Sequence, residues 1–267
     1  MARSNNTNRT GIISGRHIFA VLIALFAIAG GYAAYNLIST QVEYNTAQNE
    51  YNELRRLSPF TIYPPALIVD IEDDTEPAAE SGSQSVIIPD NIADLKAINP
   101  DFIGWILIDG TVIDYPVVQS TNNTKYLNIT FTGEQNPSGT IFMDHLCPDG
   151  FNGFTLLHGH NMRNGTMFGG LHQFLNNDFR AEHSDIIIFS PDTELLTYHI
   201  FYAKLTDIYD EVFELPGKGP DVIAEYFSSH GFTENDLLTG TDILVLATCT
   251  ANSKNERLLV FATNQHP

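Results

Sequence analysis

The distribution of apolar and polar residues divides the chain into a leading segment and a folded part. An apolar run without a charged side chain covers residues 18–38, and a polar stretch without Gly or Pro follows at 41–57. Residues 70–85 are acidic and mostly small, and beyond position 86 short apolar segments alternate with turn residues. This pattern predicts an apolar helix, a polar helix, a solvated spacer and then a folded domain.

The part of the chain beyond residue 86 is rich in strand signals. Eight segments of β-branched and aromatic residues are separated by turn residues, at 105–109, 112–118, 140–144, 154–160, 185–190, 194–206, 243–249 and 258–263. Short helices are predicted at 91–99, 167–175 and 220–230. The pair Asp109-Gly110 between two strands predicts a hairpin turn. Many strands with few helices predict a mainly β fold, an antiparallel barrel or sandwich.

The apolar run near the N-terminus is long enough to cross a membrane. As a helix, its 21 residues would span about 30 Å, the thickness of a bilayer core. A cleaved signal peptide is the alternative, although its apolar region is usually shorter. Three arginines precede the run, Arg3, Arg9 and Arg16, and they favour a cytoplasmic N-terminus.

These patterns predict an extracytoplasmic protein with four segments. We expect a cytoplasmic N-terminus at 1–17, a transmembrane anchor at 18–38, a juxtamembrane helix with an acidic spacer at 39–85, and a folded domain at 86–267.

The charge balance limits the kinds of partner that the folded domain binds. With 32 acidic and 13 basic side chains, the chain has a formal net charge of -19. Such a charge argues against nucleic acid as a partner. Bound calcium would be another use of the acidic residues, but no loop has the oxygen-ligand spacing of an EF-hand. The composition therefore favours a solvated acidic surface.

The two cysteines, Cys147 and Cys249, allow a disulfide or a reactive thiol. An apolar strand runs into Thr248 and Cys249, where the sequence becomes polar, so the second thiol is expected at a rim. Arg257 opens the next predicted strand, and a hairpin would bring its cation near Cys249. A nearby cation favours the thiolate over the thiol.

Two histidines follow an apolar run in the stretch TLLHGHNM, at positions 158 and 160. In a strand, this spacing puts both side chains on one face, which would suit a metal site. The same stretch could instead present one histidine as the general base for a cysteine nucleophile. A metal site needs three or four converging ligands, and His158 and His160 supply at most two.

Several short motifs occur in order along the folded part, and together they resemble one family. They are NPDFIGWI at 99–106, IDYPVVQ at 113–119, YLN at 126–128, GTIFMD at 139–144, GHNM at 159–162, MF at 167–168, the pair Thr248-Cys249 and Arg257. From about residue 92 to residue 262 the chain resembles a class B sortase, a cell-wall transpeptidase of Gram-positive bacteria.

The resemblance implies a fold and a set of site residues. The fold would be a closed barrel of seven or eight strands with N-terminal helices and a helix between strands six and seven, which residues 220–230 fit. The catalytic residues would be His160, Cys249 and Arg257. The groove for the sorting signal would be lined by Asn123, Leu127, His158 and Thr248.

The sequence departs from the family pattern at three places. His158 stands where the class often has Tyr, and Thr250 follows Cys249 where some relatives have an acidic residue. The segment 207–240, which should cover much of the substrate-recognition loop, has no matching signature.

The resemblance also implies the reaction, which needs neither a cofactor nor a metal. Cys249 would cleave a C-terminal sorting signal after threonine through a thioester. The protein would then be transferred to a peptidoglycan crossbridge amine or to a pilin lysine. The alternatives are a hydrolytic cysteine peptidase and a non-enzymatic binding module with a Cys147–Cys249 disulfide.

Overall fold

The computed structural model describes residues 15–61, 90–192, 194–232, 242–251 and 253–264. Its α-helices are α1 (Gly15–Leu54), α2 (Asp90–Ile98), α3 (Asn177–Glu182) and α4 (Pro220–Ser229). Its strands are β1 (Phe102–Leu107), β2 (Asp114–Gln119), β3 (Ile141–Met143), β4 (Phe154–His158), β5 (Asp185–Ser190), β6 (Glu194–Asp207), β7 (Asp242–Cys249) and β8 (Glu256–Asn264). The acidic stretch 70–85 and position 86 lie outside the described residues.

The eight strands form one closed barrel in the order β1-β2-β3-β4-β7-β8-β6-β5. This confirms the closed barrel, and α4 lies between β6 and β7 as the resemblance implied. The expectation of an antiparallel sheet was wrong in part, because β2 pairs with β3 and β4 pairs with β7 in parallel. Long connections between β2 and β3 and between β4 and β7 return the chain to the same end of the barrel, which a hairpin cannot do.

The predicted hairpin between β1 and β2 is present. The two strands pair antiparallel, and the N–H of Thr111 donates to the carbonyl of Ile108 at 3.2 Å. Gly110 has φ +73, a left-handed conformation that favours glycine. The sequence pair Asp109-Gly110 therefore marks the turn correctly.

The strand β7 pairs in parallel with β4 and antiparallel with β8, and these two pairings bring distant residues to one end of the barrel. β4 and β7 run in the same direction, with His158 opposite Ala247, so the residues that follow both strands emerge together. β8 returns antiparallel to β7 and places Arg257 directly opposite Cys249. The sheet register alone therefore gathers segments that are far apart in sequence.

Helix α1 contributes to two compact units, which divide between Asn45 and Thr46. Within the first unit, the described apolar side chains from Phe19 to Ile38 are exposed. Among the described residues, this helix is long and apolar enough to cross a membrane, a test that a signal sequence would also pass.

The second unit begins at Thr46, upstream of residue 86, where we expected the folded domain to begin. Tyr51 is 3% exposed, and its hydroxyl donates to the carbonyl of Gly139 at 2.5 Å. Its ring packs edge-on against Tyr115, with centroids 5.2 Å apart. Arg55 also pairs with Asp114, at 3.3 Å. The last turns of α1 are therefore part of the packed domain.

Candidate active site

Cys249 is the last residue of β7 and has a partly exposed thiol. Its pKa is lowered to about 7, chiefly by a hydrogen bond with His160. Burial opposes this shift, whereas the backbone N–H of Asn161 and the charges of His160 and Arg257 add to it. A substantial share of the thiol is thus ionised near neutral pH, and the thiolate is the nucleophilic form.

His160 follows β4 by two residues and lies half-buried beside Cys249. Its Nε2 is 2.7 Å from the carbonyl oxygen of Leu127. Because a carbonyl only accepts, Nε2 carries the hydrogen, and Nδ1 remains for Cys249. The hydrogen bond with Cys249 is the main cause that raises the pKa of His160; burial opposes it and the Leu127 carbonyl adds to it. The two groups therefore stabilise each other as thiolate and imidazolium.

Backbone contacts hold the segment that carries His160 against β7. The N–H of Gly159 donates to Ala247 at 3.2 Å, and the hydroxyl of Thr248 donates to the carbonyl of Gly159 at 2.7 Å. A Cβ at position 159 would lie only 2.5 Å from the Ile141 side chain, so glycine is required there for packing. These contacts fix the histidine relative to the cysteine.

Arg257 opens β8 and lies across from Cys249 in the sheet register. Its Nη1 donates to the carbonyls of Lys254 at 2.9 Å and Glu256 at 3.0 Å. One arm of the guanidinium thus anchors the side chain to the β7–β8 connection. The positive charge still acts on Cys249 and helps to lower its pKa.

A groove with a volume of about 400 Å³ runs beside these three residues. The four side chains that the sequence assigned to a substrate groove all line it, namely Asn123, Leu127, His158 and Thr248. Two further apolar residues, Ile208 and Phe213, also line the groove and were missed from the sequence. They lie in the segment 207–240 that matched no signature, so only their apolar character in a polar stretch could have indicated them.

Sequence reasoning also missed Asp144, a 5% exposed carboxylate just after β3. Its Oδ2 accepts from Asn123 Nδ2 at 2.7 Å and lies 3.1 Å from His158 Nε2. Its Oδ1 accepts the N–H of Leu146 at 3.0 Å. Burial acts to raise the pKa of Asp144, but its hydrogen bonds, that with His158 foremost, outweigh burial and leave the pKa lowered. Asp144 is therefore an ionised acceptor beneath the groove wall.

The two cysteines are free thiols in the structure, so the disulfide-bonded alternative is not supported. Cys147 is buried, and burial is the main cause that raises its pKa to about 11. It therefore remains a thiol at neutral pH and is a poor nucleophile. Only Cys249 of the two combines access to a groove with a lowered pKa.

The two histidines of the TLLHGHNM stretch have different neighbours. His158 lies against Asp144 and stacks on Phe142, with ring centroids 5.1 Å apart, whereas His160 faces Cys249. Within the described ranges, no group of three or more His, Cys, Asp or Glu side chains is arranged to hold a metal ion.

A closed barrel with an ionisable cysteine and a histidine at one end of its strands defines a class of cysteine enzymes that carry out acyl transfer. Comparison with known proteins identifies the family. A family model described as the sortase domain matches residues 106–265. This match covers more than half of the chain, and the chain therefore belongs to the sortase family.

The relatives of the chain are class B sortases. Sortase B of Listeria monocytogenes is 32% identical over 178 residues, which cover 64% of this chain and 71% of the relative. Sortase B of Staphylococcus aureus is 37% identical over 117 residues, 43% of this chain and 48% of the relative.

Solved structures of sortases share the fold. The X-ray structure of Clostridium perfringens sortase B has a TM-score of 0.58 and 29% identity, covering 66% of this chain and all of that one. A Streptococcus pyogenes class B sortase involved in pilus biogenesis has a TM-score of 0.55 and 27% identity, covering 65% of this chain and 97% of that one. These likenesses support a sortase-type cysteine transpeptidase.

Proposed function

We propose that this chain is a membrane-anchored transpeptidase in which Cys249 cleaves a sorting signal after threonine and transfers the protein to an amine. One observation carries the proposal: Cys249, with a pKa of about 7, is hydrogen-bonded to His160 at the edge of a groove of about 400 Å³. The groove is large enough for a short peptide segment, and the thiolate is available at neutral pH.

In the first half of the proposed reaction, the Cys249 thiolate attacks the threonine carbonyl and forms a tetrahedral intermediate. The developing oxyanion accepts hydrogen bonds from guanidinium N–H groups of Arg257 other than those that donate to the Lys254 and Glu256 carbonyls. The C–N bond then breaks, and His160 gives its proton to the leaving amine. The product is a thioester between Cys249 and the shortened substrate.

In the second half, an amine attacks the thioester and the Cys249 thiolate leaves. His160 takes the proton from the attacking amine, which restores the starting state. The acceptor is a peptidoglycan crossbridge amine or a pilin lysine. If water attacks instead, the product is a free carboxylate, so a hydrolytic cysteine peptidase is the second candidate function.

The proposed location follows from the N-terminal helix. Its exposed apolar side chains and length support a single-pass anchor, and the three arginines before it support a cytoplasmic N-terminus. The catalytic domain would then face sorting-signal-bearing proteins and wall amines outside the cell. The formal net charge of -19 supports partners other than nucleic acid.

A cleavage and transfer assay tests the proposal. The chain starting at Gln41 is incubated with a library of pentapeptide sorting signals, with and without candidate amines, and the products are identified by mass spectrometry. We expect a thioester adduct on Cys249 and an amide product when the correct amine is present.

The Cys249→Ala variant is the control for chemistry at this thiol. Free carboxylate as the sole product with every amine would favour the peptidase. Cleavage that persists in Cys249→Ala would refute the assignment of the nucleophile.

A further inference from the structure

The groove wall next to the catalytic residues contains a buried carboxylate that the proposed reaction does not use. Asp144 follows β3, and both of its oxygens are engaged by donors: Leu146 N–H on Oδ1, and Asn123 Nδ2 with His158 Nε2 on Oδ2. A fourth group, His145 Nδ1, lies 3.5 Å from Oδ1. Two of these four partners, Asn123 and His158, line the groove. A single buried side chain thus determines where two groove residues lie.

The contact with Asp144 determines the hydrogen position on His158. The lowered pKa of Asp144 makes it a carboxylate, which can only accept. The hydrogen of the imidazole must therefore lie on Nε2, and in the neutral ring Nδ1 presents a lone pair. Within the described residues, Nδ1 has no protein hydrogen-bond partner.

The ring plane of His158 is also held. His158 lies opposite Phe142 in the β3–β4 register, and the two rings stack at an interplanar angle of 28°. With Nε2 tied to Asp144 and one face covered by Phe142, the ring has little freedom to rotate. Asn123 is held in a similar way, because its Oδ1 accepts the N–H of His145 at 2.9 Å while its Nδ2 donates to Asp144.

A hydrogen-bond acceptor at a groove wall discriminates between ligands by their donors. A site with a buried or half-buried polar group rejects an analogue that lacks the matching group, because the protein atom is then left unpaired. A substrate side chain with an N–H or O–H would pair with His158 Nδ1, and an apolar side chain of equal size would not.

We propose that Asp144 is a positioning residue that fixes the tautomer and orientation of His158, so that this wall of the groove selects a hydrogen-bond donor side chain in the sorting signal. The inference rests on the proposed function, because it concerns the substrate of that reaction. It assigns a role to a side chain that touches neither the thiol nor the scissile bond.

The tautomer is measured first, in the absence of any substrate. Nitrogen-15 NMR of the imidazole rings at pH 8 distinguishes the two neutral tautomers and the imidazolium. We expect the Nε2–H tautomer for His158 in the wild type and its loss in Asp144→Asn, in which an amide N–H₂ competes for the same position. An Nδ1–H tautomer or an imidazolium in the wild type would overturn the proposal.

Selectivity is measured next, with pairs of sorting peptides that differ at one position by Gln versus Met or by Thr versus Val. The wild type should prefer the donor at one position by about three- to tenfold in KM, the size of one hydrogen bond, with kcat little changed. Asp144→Asn and His158→Phe should lose that preference. His158→Phe retains an aromatic ring that can stack on Phe142. It therefore provides a second test of the lost preference even if Asp144→Asn does not fold.

A second aspartate–histidine pair provides the matched control. Asp185 and His199 lie 2.8 Å apart, but both are more than half exposed and neither lines the groove. Asp185→Asn should keep the wild-type preference.

Equal use of both peptides at every position by the wild type, or an unchanged preference in Asp144→Asn, would contradict the proposal. Cleavage of no peptide at all by the wild type would instead contradict the proposed function, and the NMR result would still decide the role of Asp144.

Discussion

At the scale of single residues, the two cysteines have opposite properties that mutagenesis can separate. Cys249→Ala should abolish cleavage and transfer, because its thiol is the one with a lowered pKa beside the groove. Cys147→Ser should retain most activity, since Cys147 is buried with a pKa raised to about 11. Product yield and thermal unfolding are measured for both. An inactive but folded Cys147→Ser together with an active Cys249→Ala would reverse the assignment.

The pH dependence of the Cys249 thiol reports its interaction with His160. The hydrogen bond with His160 is the main cause of the lowered pKa, so the rate of alkylation by iodoacetamide should rise with a midpoint at about pH 7. In His160→Ala the midpoint should move upward, because the stabilisation of the thiolate is lost.

The His158→Phe variant is the control for the pH profile, and its midpoint should remain at about 7. For the transfer reaction, activity should rise through the pKa of Cys249 and fall again at higher pH as His160 loses its proton. An identical midpoint in the wild type and in His160→Ala would contradict this coupling.

We expect the planar guanidinium of Arg257, with its several N–H donors, to contribute to catalysis in addition to its positive charge. One arm is held by the Lys254 and Glu256 carbonyls, which leaves further N–H groups for an oxyanion. Arg257→Lys should therefore lose roughly 10²–10³-fold in kcat/KM, the effect of removing one oxyanion donor. Arg180 also donates to a backbone carbonyl, that of Phe174 at 2.6 Å, and Arg180→Lys is the control. Equal activities of the wild type, Arg257→Lys and Arg257→Ala would exclude a role in the site.

At the scale of secondary-structure elements, the end of α1 is expected to stabilise the barrel. Tyr51→Phe removes the hydrogen bond to Gly139 and should lower the free energy of unfolding by about 1 kcal/mol. Tyr51→Ala also removes the buried ring and should cost about 3–5 kcal/mol. Urea unfolding of the chain from Gln41 measures both, with Tyr209→Phe, which is 80% exposed, as the control. Equal stability of all variants would show that α1 does not support the fold.

The individual strands could be predicted from the sequence because alternation and β-branched residues act locally. All eight predicted strand segments overlap observed strands, and β5 has the predicted bounds. Strand direction could not be predicted from residue types, because β3 and β7 have parallel partners that depend on long connections. The short helix α3 was missed, although Asn176 caps it by accepting the N–H of Asp178 at 2.8 Å.

Candidate site residues could be predicted where a residue type suggests its own chemistry. His160, Cys249 and Arg257 could be singled out because thiol, imidazole and guanidinium groups suit acyl transfer, and their neighbours could be matched to motifs. Asp144 could not, because its role depends on contacts with residues 123 and 158 that only the folded barrel brings together. Tyr51 was likewise missed, since its stretch is polar and gives no sign of a packed face.

At the scale of the whole molecule, the first forty residues are expected to determine location and leave the chemistry unchanged. A chain starting at Gln41 should fold and cleave sorting peptides at the rate of the full-length protein, because the second compact unit begins at Thr46. A chain starting at residue 62 lacks Tyr51 and Arg55 and should be less stable. Peptide cleavage and thermal unfolding of the two truncated chains provide the measurement. A folded but inactive chain from Gln41 would show that the N-terminal segment takes part in catalysis.

Because β4 pairs in parallel with β7, the reactivity of the Cys249 thiol depends on whether the chain has folded. His160 lies far upstream of Cys249 in the sequence, and only the closed barrel brings them together. In the unfolded chain the thiol has an ordinary pKa of about 8.5 and is mostly protonated at neutral pH. The polypeptide therefore gains its largely ionised Cys249 thiolate only when the barrel has formed and His160 lies beside it. Completion of the fold is itself the step that activates the thiol.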